Sequence, residues 1–289
     1  MADHRLPLSH PQRMFWFADK LEPDTPAYNL PRAFKIEGQL DIDALQDAFR
    51  DLVRRHDVLR TCFVELDGEL YQCVRNDVRI DLVPHDLSKL PAPKRDIETL
   101  TIASEEARKP FDLERPPLFR LKLVCLGPTT YVLILVMHHI ITDGWSMSVL
   151  FKEIARSYGQ LVVGQRPQTT KLPLQYADFA LWQQQTLTEE VLQKDVEYWR
   201  RHLHGSHALL QLPSDHPRPG VQSHHGSIES FTIDATLTHR IKQMCVDESV
   251  TLYMGLLAAF QALLKRYTGS DDIPVGTPVA GEEIRILPT

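Results

Sequence analysis

The stretch Tyr131-Val-Leu-Ile-Leu-Val-Met137, running directly into His138-His139-Ile140-Ile141-Thr142-Asp143-Gly144, decides how the chain is read. The first part is a near-continuous apolar run rich in branched residues, which predicts a strand buried on both faces. Successive strand side chains point to opposite faces, so only one of the two histidines can face a given cleft. Gly144 is read as a turn residue with the backbone freedom of glycine. Ser146 is then the expected cap of a helix reaching about Leu161. A buried strand would thus carry an imidazole to a helix amino terminus, where exposed N–H groups stabilise developing negative charge. A lone histidine at a strand end is usually structural. Two adjacent histidines followed by Asp-Gly at fixed spacing form a narrower pattern, and function is expected here.

Working outward, a capped helix is expected over Ser9–Lys20, and a strand over Asn29–Glu37. Asp41 opens an amphipathic helix whose Ile42, Leu45, Phe49, Leu52 and Val53 share one stripe. Leu59–Leu66 and Glu69–Val74 flank Asp67-Gly68, a hairpin signal. A helix near Ile97–Arg108 and a strand over Leu118–Leu126 lead into the Thr130–His138 strand. Beyond the Pro-containing linker 164–173, helices are expected at Tyr176–Gln185 and Thr188–Leu203. After a polar loop come a strand (Ser227–Ile233) and two helices (Thr236–Asp247, Leu252–Tyr267). Strands and helices mix in an α/β or α+β order, and the linker places a lobe boundary between residues 168 and 169.

A length of 289 residues exceeds what one compact core needs, which agrees with two lobes. The net charge of -6, without a basic stripe, speaks against nucleic acid as a partner. The apolar runs are too short to span a bilayer, and the amino terminus lacks a secretory core. The scattered Cys62, Cys73, Cys125 and Cys245 suit thiols of a cytoplasmic protein better than a disulfide framework. His202, His204, His207, His216, His224 and His225 invite a zinc reading. Their spacing is not that of a helix-borne metal motif, so a solvated loop is expected and no metal. No glycine-rich nucleotide loop is present.

HHIITDG (His138–Gly144) is similar to the HHxxxDG signature of condensation domains and related acyltransferases. Further stretches resemble the motifs of nonribosomal peptide synthetase condensation domains, in family order. They are LPLSHPQRMFWFADKLEPDTPAYNLP (Leu6–Pro31), RHDVLRTCF (Arg55–Phe63), YADFALWQ (Tyr176–Gln183) and VGTPVAG (Val275–Gly281). The opening motif most resembles the subclass that joins two L-configured residues.

The resemblance implies a two-lobed fold like chloramphenicol acetyltransferase. It implies amide bond formation between a donor acyl or peptidyl thioester and an acceptor aminoacyl thioester. Both would be delivered on phosphopantetheine arms by carrier proteins, with neighbouring synthetase domains as partners and no intrinsic cofactor. His139 would face the reaction channel, as a base or by holding the amine, with His138 structural. Gly144 N–H is the candidate oxyanion donor. Asp143 would pair with Arg60 to hold the loop. Trp145 is expected to pack in the core, and Ser146 and Trp145 are the candidates for lining the channel.

The chain departs from the family pattern at the fifth motif, where Glu282 follows Gly281 in place of the usual arginine. Two later motifs are missing, so residues 1–168 read as a complete first lobe and 169–289 as an incomplete second one. An excised fragment, self-association through the incomplete lobe, and a non-catalytic module that binds carrier proteins are the three readings of that pattern. The rival enzyme is a coenzyme A-dependent O- or N-acyltransferase using the same histidine.

Overall fold

The computed structural model describes residues 5–167, 171–206, 210–217, 220 and 226–277. The chain divides into two compact units, Met1–Val191 and Leu192–Thr289. The division falls further along than the expected 168/169 boundary. The cause is the helix after the linker: Tyr176 Oη lies 3.0 Å from Ser9 Oγ, and Gln175 donates to the Arg55 carbonyl. These contacts fasten that helix to the first unit.

The first unit is built on a four-stranded sheet with strands β2 (Asn29–Glu37), β7 (Thr130–His138), β6 (Phe119–Gly127) and β5 (Pro84–Asp86), in that order across the sheet. β7 is antiparallel to β2 and β6, and β5 is parallel to β6. The expectation for β7 is met on both faces. Tyr131, Leu133, Leu135 and Met137 enter the main core with helices α2 (Ile42–Arg55) and α4 (Gly144–Val162). Ile134 and Val136 belong to a second cluster, against which Ile102 and Ala103 of α3 (Ala92–Arg108) pack. Burying both rows of one strand explains why the sequence shows a run instead of an alternation.

A smaller antiparallel sheet, β1 (Arg5–Pro7), β4 (Glu69–Val74) and β3 (Thr61–Leu66), stands beside it. Asp67 and Gly68 take φ of 55° and 81°, so the Asp-Gly hairpin turn forms with both central residues left-handed. Helix α1 (His10–Leu21) begins at a capping box in which Gln12 N–H donates to Ser9 Oγ and Ser9 N–H donates to Gln12 Oε1. β1 and β5 are too short to leave a periodic signal, and the sequence reading lacks them.

Helix α5 (Tyr176–Thr186) closes the first unit, and α6 (Glu189–His202) runs from it into the second. In the second unit α7 (Ala235–Asp247) is capped by Asp234 and α8 (Leu252–Thr268) by Thr251. The two helices approach at Gly255, where a Cβ would stand 2.6 Å from the buried Cys245 Sγ. The strand expected at Ser227–Ile233 does not form. No strand pairs with this segment among the described residues, and Ile228 and Phe231 are 90% and 86% exposed. Alternation alone marks a strand only where another strand accepts its hydrogen bonds.

Candidate functional site

β7 ends at His138, and a single 3-10 turn, His139–Ile141, joins it through Thr142 and Asp143 to α4. His138 continues the row of Val132, Ile134 and Val136 toward the α3 side of the sheet. Its ring is buried, with the edge of Phe111 at 6.0 Å and Tyr28 at 6.2 Å between centroids. Its Nδ1 accepts from Ile140 N–H at 3.1 Å, so that nitrogen carries no proton in this arrangement. Burial, reinforced by the neighbouring His139, pushes its pKa down to about 4. The imidazole is held neutral.

His139 differs in its burial and its contacts. Its backbone N–H donates to the Tyr28 carbonyl at 2.9 Å, which ties the turn to the residue before β2. The residue is only half-buried, and the ring stacks on Phe15 of α1 with centroids 4.7 Å apart and planes 23° apart. Its Nδ1 is sealed without a hydrogen-bond partner. Among the described residues no carboxylate is bonded to this imidazole from behind, as one is in a serine-protease triad.

Asp143 caps α4: its Oδ1 accepts from Ser146 N–H at 2.7 Å and also from Ser146 Oγ. The expected roles are therefore exchanged, with Asp143 as the cap and Ser146 as its donor. The expected pairing of Asp143 with Arg60 does not occur. Arg60 forms its ion pair with Asp57 and donates to the Val53 and Arg75 carbonyls and to Asn76. It stitches α2, the 3-10 turn Asp57–Arg60 and the end of β4 together. A local capping bond three residues away satisfies Asp143 without a distant partner.

Gly144 is the first residue of α4, and its φ lies outside the left-handed region, so it is not a strained turn glycine. The first N–H groups of a helix have no acceptor within it. Gly144 is exposed, and apart from its chain neighbours and its own helix nothing lies within 4 Å of where its Cβ would stand. Trp145 is 74% exposed next to it, contrary to the expected core packing. As the second residue of α4 it projects before the helix has turned toward the core, which first receives Met147.

Phe15, Tyr28 and Phe111 are the contacts that motif reading passed over. The signal that could have found Phe15 and Tyr28 was present, since both lie in the opening motif-like stretch. Among the described residues no group of three or more His, Cys, Asp or Glu side chains is placed to hold a metal ion. His207, His224 and His225 lie outside the described residues, as does the end of the VGTPVAG stretch. A concavity between α2 and α4, lined by Asp51, Arg55, Glu153 and Arg156 among others, shares no residue with the turn.

Comparison with known proteins decides the family. The condensation domain family pattern matches residues 2–284. The chain belongs to the condensation domain family. This condensation domain is 44% identical over 279 residues to one of the linear gramicidin synthase proteins of Brevibacillus parabrevis, covering 96% of the chain and 4% of that protein. It is 40% identical over 277 residues to phosphinothricin tripeptide synthetase PhsB of Streptomyces viridochromogenes, covering 95% of the chain and 23% of that protein. It thus spans a small part of the length of these relatives. Among solved structures, it resembles the X-domain in its complex with OxyB from teicoplanin biosynthesis. The TM-score is 0.80 at 29% identity, over 93% of this chain and 59% of that one. It also resembles a four-domain nonribosomal peptide synthetase bound to AMP and glycine, with TM-score 0.82 at 25% identity, over 97% of this chain and 21% of that one. The expected α/β acyltransferase-like fold is the one these neighbours share.

Proposed function

We propose that this condensation domain forms an amide bond between two carrier-bound thioesters in nonribosomal peptide biosynthesis, with His139 as the working imidazole. The observation that carries the reading is the contrast at the strand end. His138 is buried, neutral and bonded to its own turn, while His139 offers a half-buried ring beside the exposed amino terminus of α4.

The acceptor amine attacks the donor thioester carbonyl, forming the C–N bond and placing negative charge on the carbonyl oxygen. The C–S bond then breaks and the thiolate of the donor arm departs. The proton lost by the nitrogen goes to that thiolate, directly or by way of His139, so the exchange balances without a further reactant. The Gly144 N–H is the donor assigned to the developing oxyanion. The thioester is already activated, so holding the two arms in line supplies much of the acceleration. Asp143 and Arg60 serve by fixing the two loops they cap and stitch. The phosphopantetheine arms enter as substrate carried by other domains, and no resident cofactor is required. Among the described residues no helix is long and apolar enough to cross a membrane. The cytoplasm is the compartment that goes with this chemistry.

A second reading is favoured by one observation: the X-domain that the chain resembles was solved with a partner protein, OxyB. A domain of this fold can therefore serve as a binding module. Mass spectrometry of the acceptor carrier protein, after mixing the chain with loaded donor and acceptor carriers, separates the readings. We expect the donor acyl group on the acceptor arm. Transfer from free acyl-coenzyme A alone, or no transfer with both carriers bound, overturns the proposal.

A further inference from the structure

We infer that Phe15 is a positioning residue for His139, setting the plane of the working imidazole through ring stacking. This rests on the reading of His139 given above. The torsion that turns an imidazole about its Cβ–Cγ bond is broad and soft. In many histidine sites a hydrogen bond to the far ring nitrogen fixes that angle. Here Nδ1 has no such bond, and Asp143 is committed to Ser146. What remains to orient the ring is packing, and the Phe15 face lies nearly parallel to it at 4.7 Å.

The support behind Phe15 is itself rigid. Gln12, Phe15 and Trp16 lie three and four residues apart, on one side of α1. Gln12 and Trp16 are 1% and 5% exposed, and the capping box fixes the start of the helix. The opposite side carries the exposed Met14, Phe17 and Leu21, so α1 cannot rotate without burying one set and baring the other. The Phe15 ring also meets Tyr28 edge-on at 5.3 Å, and it is the Tyr28 carbonyl that accepts the His139 N–H. Backbone and ring of His139 are thus referred to one small aromatic frame.

The test uses the 289-residue chain with labelled histidine, and the variants Phe15→Leu and Phe15→Tyr. The His139 ring signal is identified by its loss in His139→Ala. In the unsubstituted chain we expect a through-space contact between the Phe15 and His139 ring protons, and a His139 ring proton shifted by aromatic shielding. Phe15→Leu should lose that shift and lower the single-turnover condensation rate by about 10-fold to 100-fold, at unchanged half-saturation by the carrier proteins. Phe15→Tyr, which keeps the ring face, should restore both. Absence of the ring contact in the unsubstituted chain overturns the inference even if Phe15→Leu fails to fold. So does a folded Phe15→Leu with full rate and unchanged ring signal. An unsubstituted chain that makes no peptide defeats the proposed function instead, and the ring signal then decides the role of Phe15 by itself.

Discussion

The two sides of the turn at the end of β7 are built for opposite ends. On the α3 side, Asn29 Nδ2 donates to the Ala107 and Lys109 carbonyls at 2.8 Å each. Arg120 donates to the Glu106, Lys109 and Pro110 carbonyls and pairs with the buried Glu106 carboxylate at 3.3 Å. Its guanidinium lies 3.8 Å from the centre of the Phe111 ring, whose other neighbour is the buried His138. The carbonyls at the end of α3 are satisfied, and the group that would charge in acid is kept neutral. On the α1 side, His139 has one backbone bond and one stacked ring, and the exposed Gly144 and Trp145 stand at the start of the next helix. One strand end therefore ties Asn29 and Arg120 to the end of α3 on one face, with Asn29 Oδ1 and Arg120 Nε left without a hydrogen-bond partner. On the other face it gives the His139 ring and the exposed start of α4 fewer partners. Groups with fewer partners are available to a substrate.

The strongest way to break that contrast is on the α3 side. Arg120→Met removes a donor from the Glu106, Lys109 and Pro110 carbonyls, of which Lys109 keeps Asn29 as a donor, and leaves Glu106, 6% exposed at its side chain, to the half-exposed Lys109 and Lys122. Chemical denaturation should show a loss of about 3 kcal/mol. Wild-type stability in this variant would mean the network is incidental.

The same face predicts a pH dependence. The pKa of His138 is depressed from 6.5 to about 4 in the folded chain, so the unfolded chain binds a proton there first. Stability is full above pH 6.5 and is lost as pH falls toward 4, by about 3 kcal/mol. His138→Gln should flatten that part of the stability curve. An unchanged slope would show that the ring is not held neutral.

Asp143 gives the smallest effect and the sharpest distinction. As a helix cap it should be replaceable by asparagine at little cost, whereas Asp143→Ala should lose about 1 kcal/mol. Were Asp143 instead the buried half of an ion pair with Arg60, asparagine and alanine would both be severe. Thermal unfolding of the two variants side by side decides between them.

Much of this was legible in the sequence. The run 131–137 announced a doubly buried strand, Asp67-Gly68 a hairpin, and Asp41 a cap, because each signal is local and backbone geometry enforces it. Strand alternation said only that one of His138 and His139 could face a given cleft. The choice of His139 rested on the family resemblance, and β7 in fact ends at His138. The failures were of another kind. Arg60 and Asp143 each have a nearer partner three residues away, and sequence spacing cannot rank a local contact against a distant one. Trp145 looked like core by its side chain alone, yet its place in the first turn of α4 leaves it exposed. Ser227–Ile233 carried strand alternation without a partner strand to complete it. Phe15 lay inside the opening motif-like stretch, but its contact with His139 went unread because a stacked aromatic carries no chemical signature of its own.

The claim on which the account turns is that His139, and not its neighbour, works on the substrates. Intact-mass analysis of the acceptor carrier after a single turnover with His139→Ala tests it directly, with unfolding followed on the same preparation. We expect a folded protein of unchanged stability whose rate of condensed-product formation falls at least about 100-fold. Condensed product formed at the unsubstituted rate by the folded variant would contradict it.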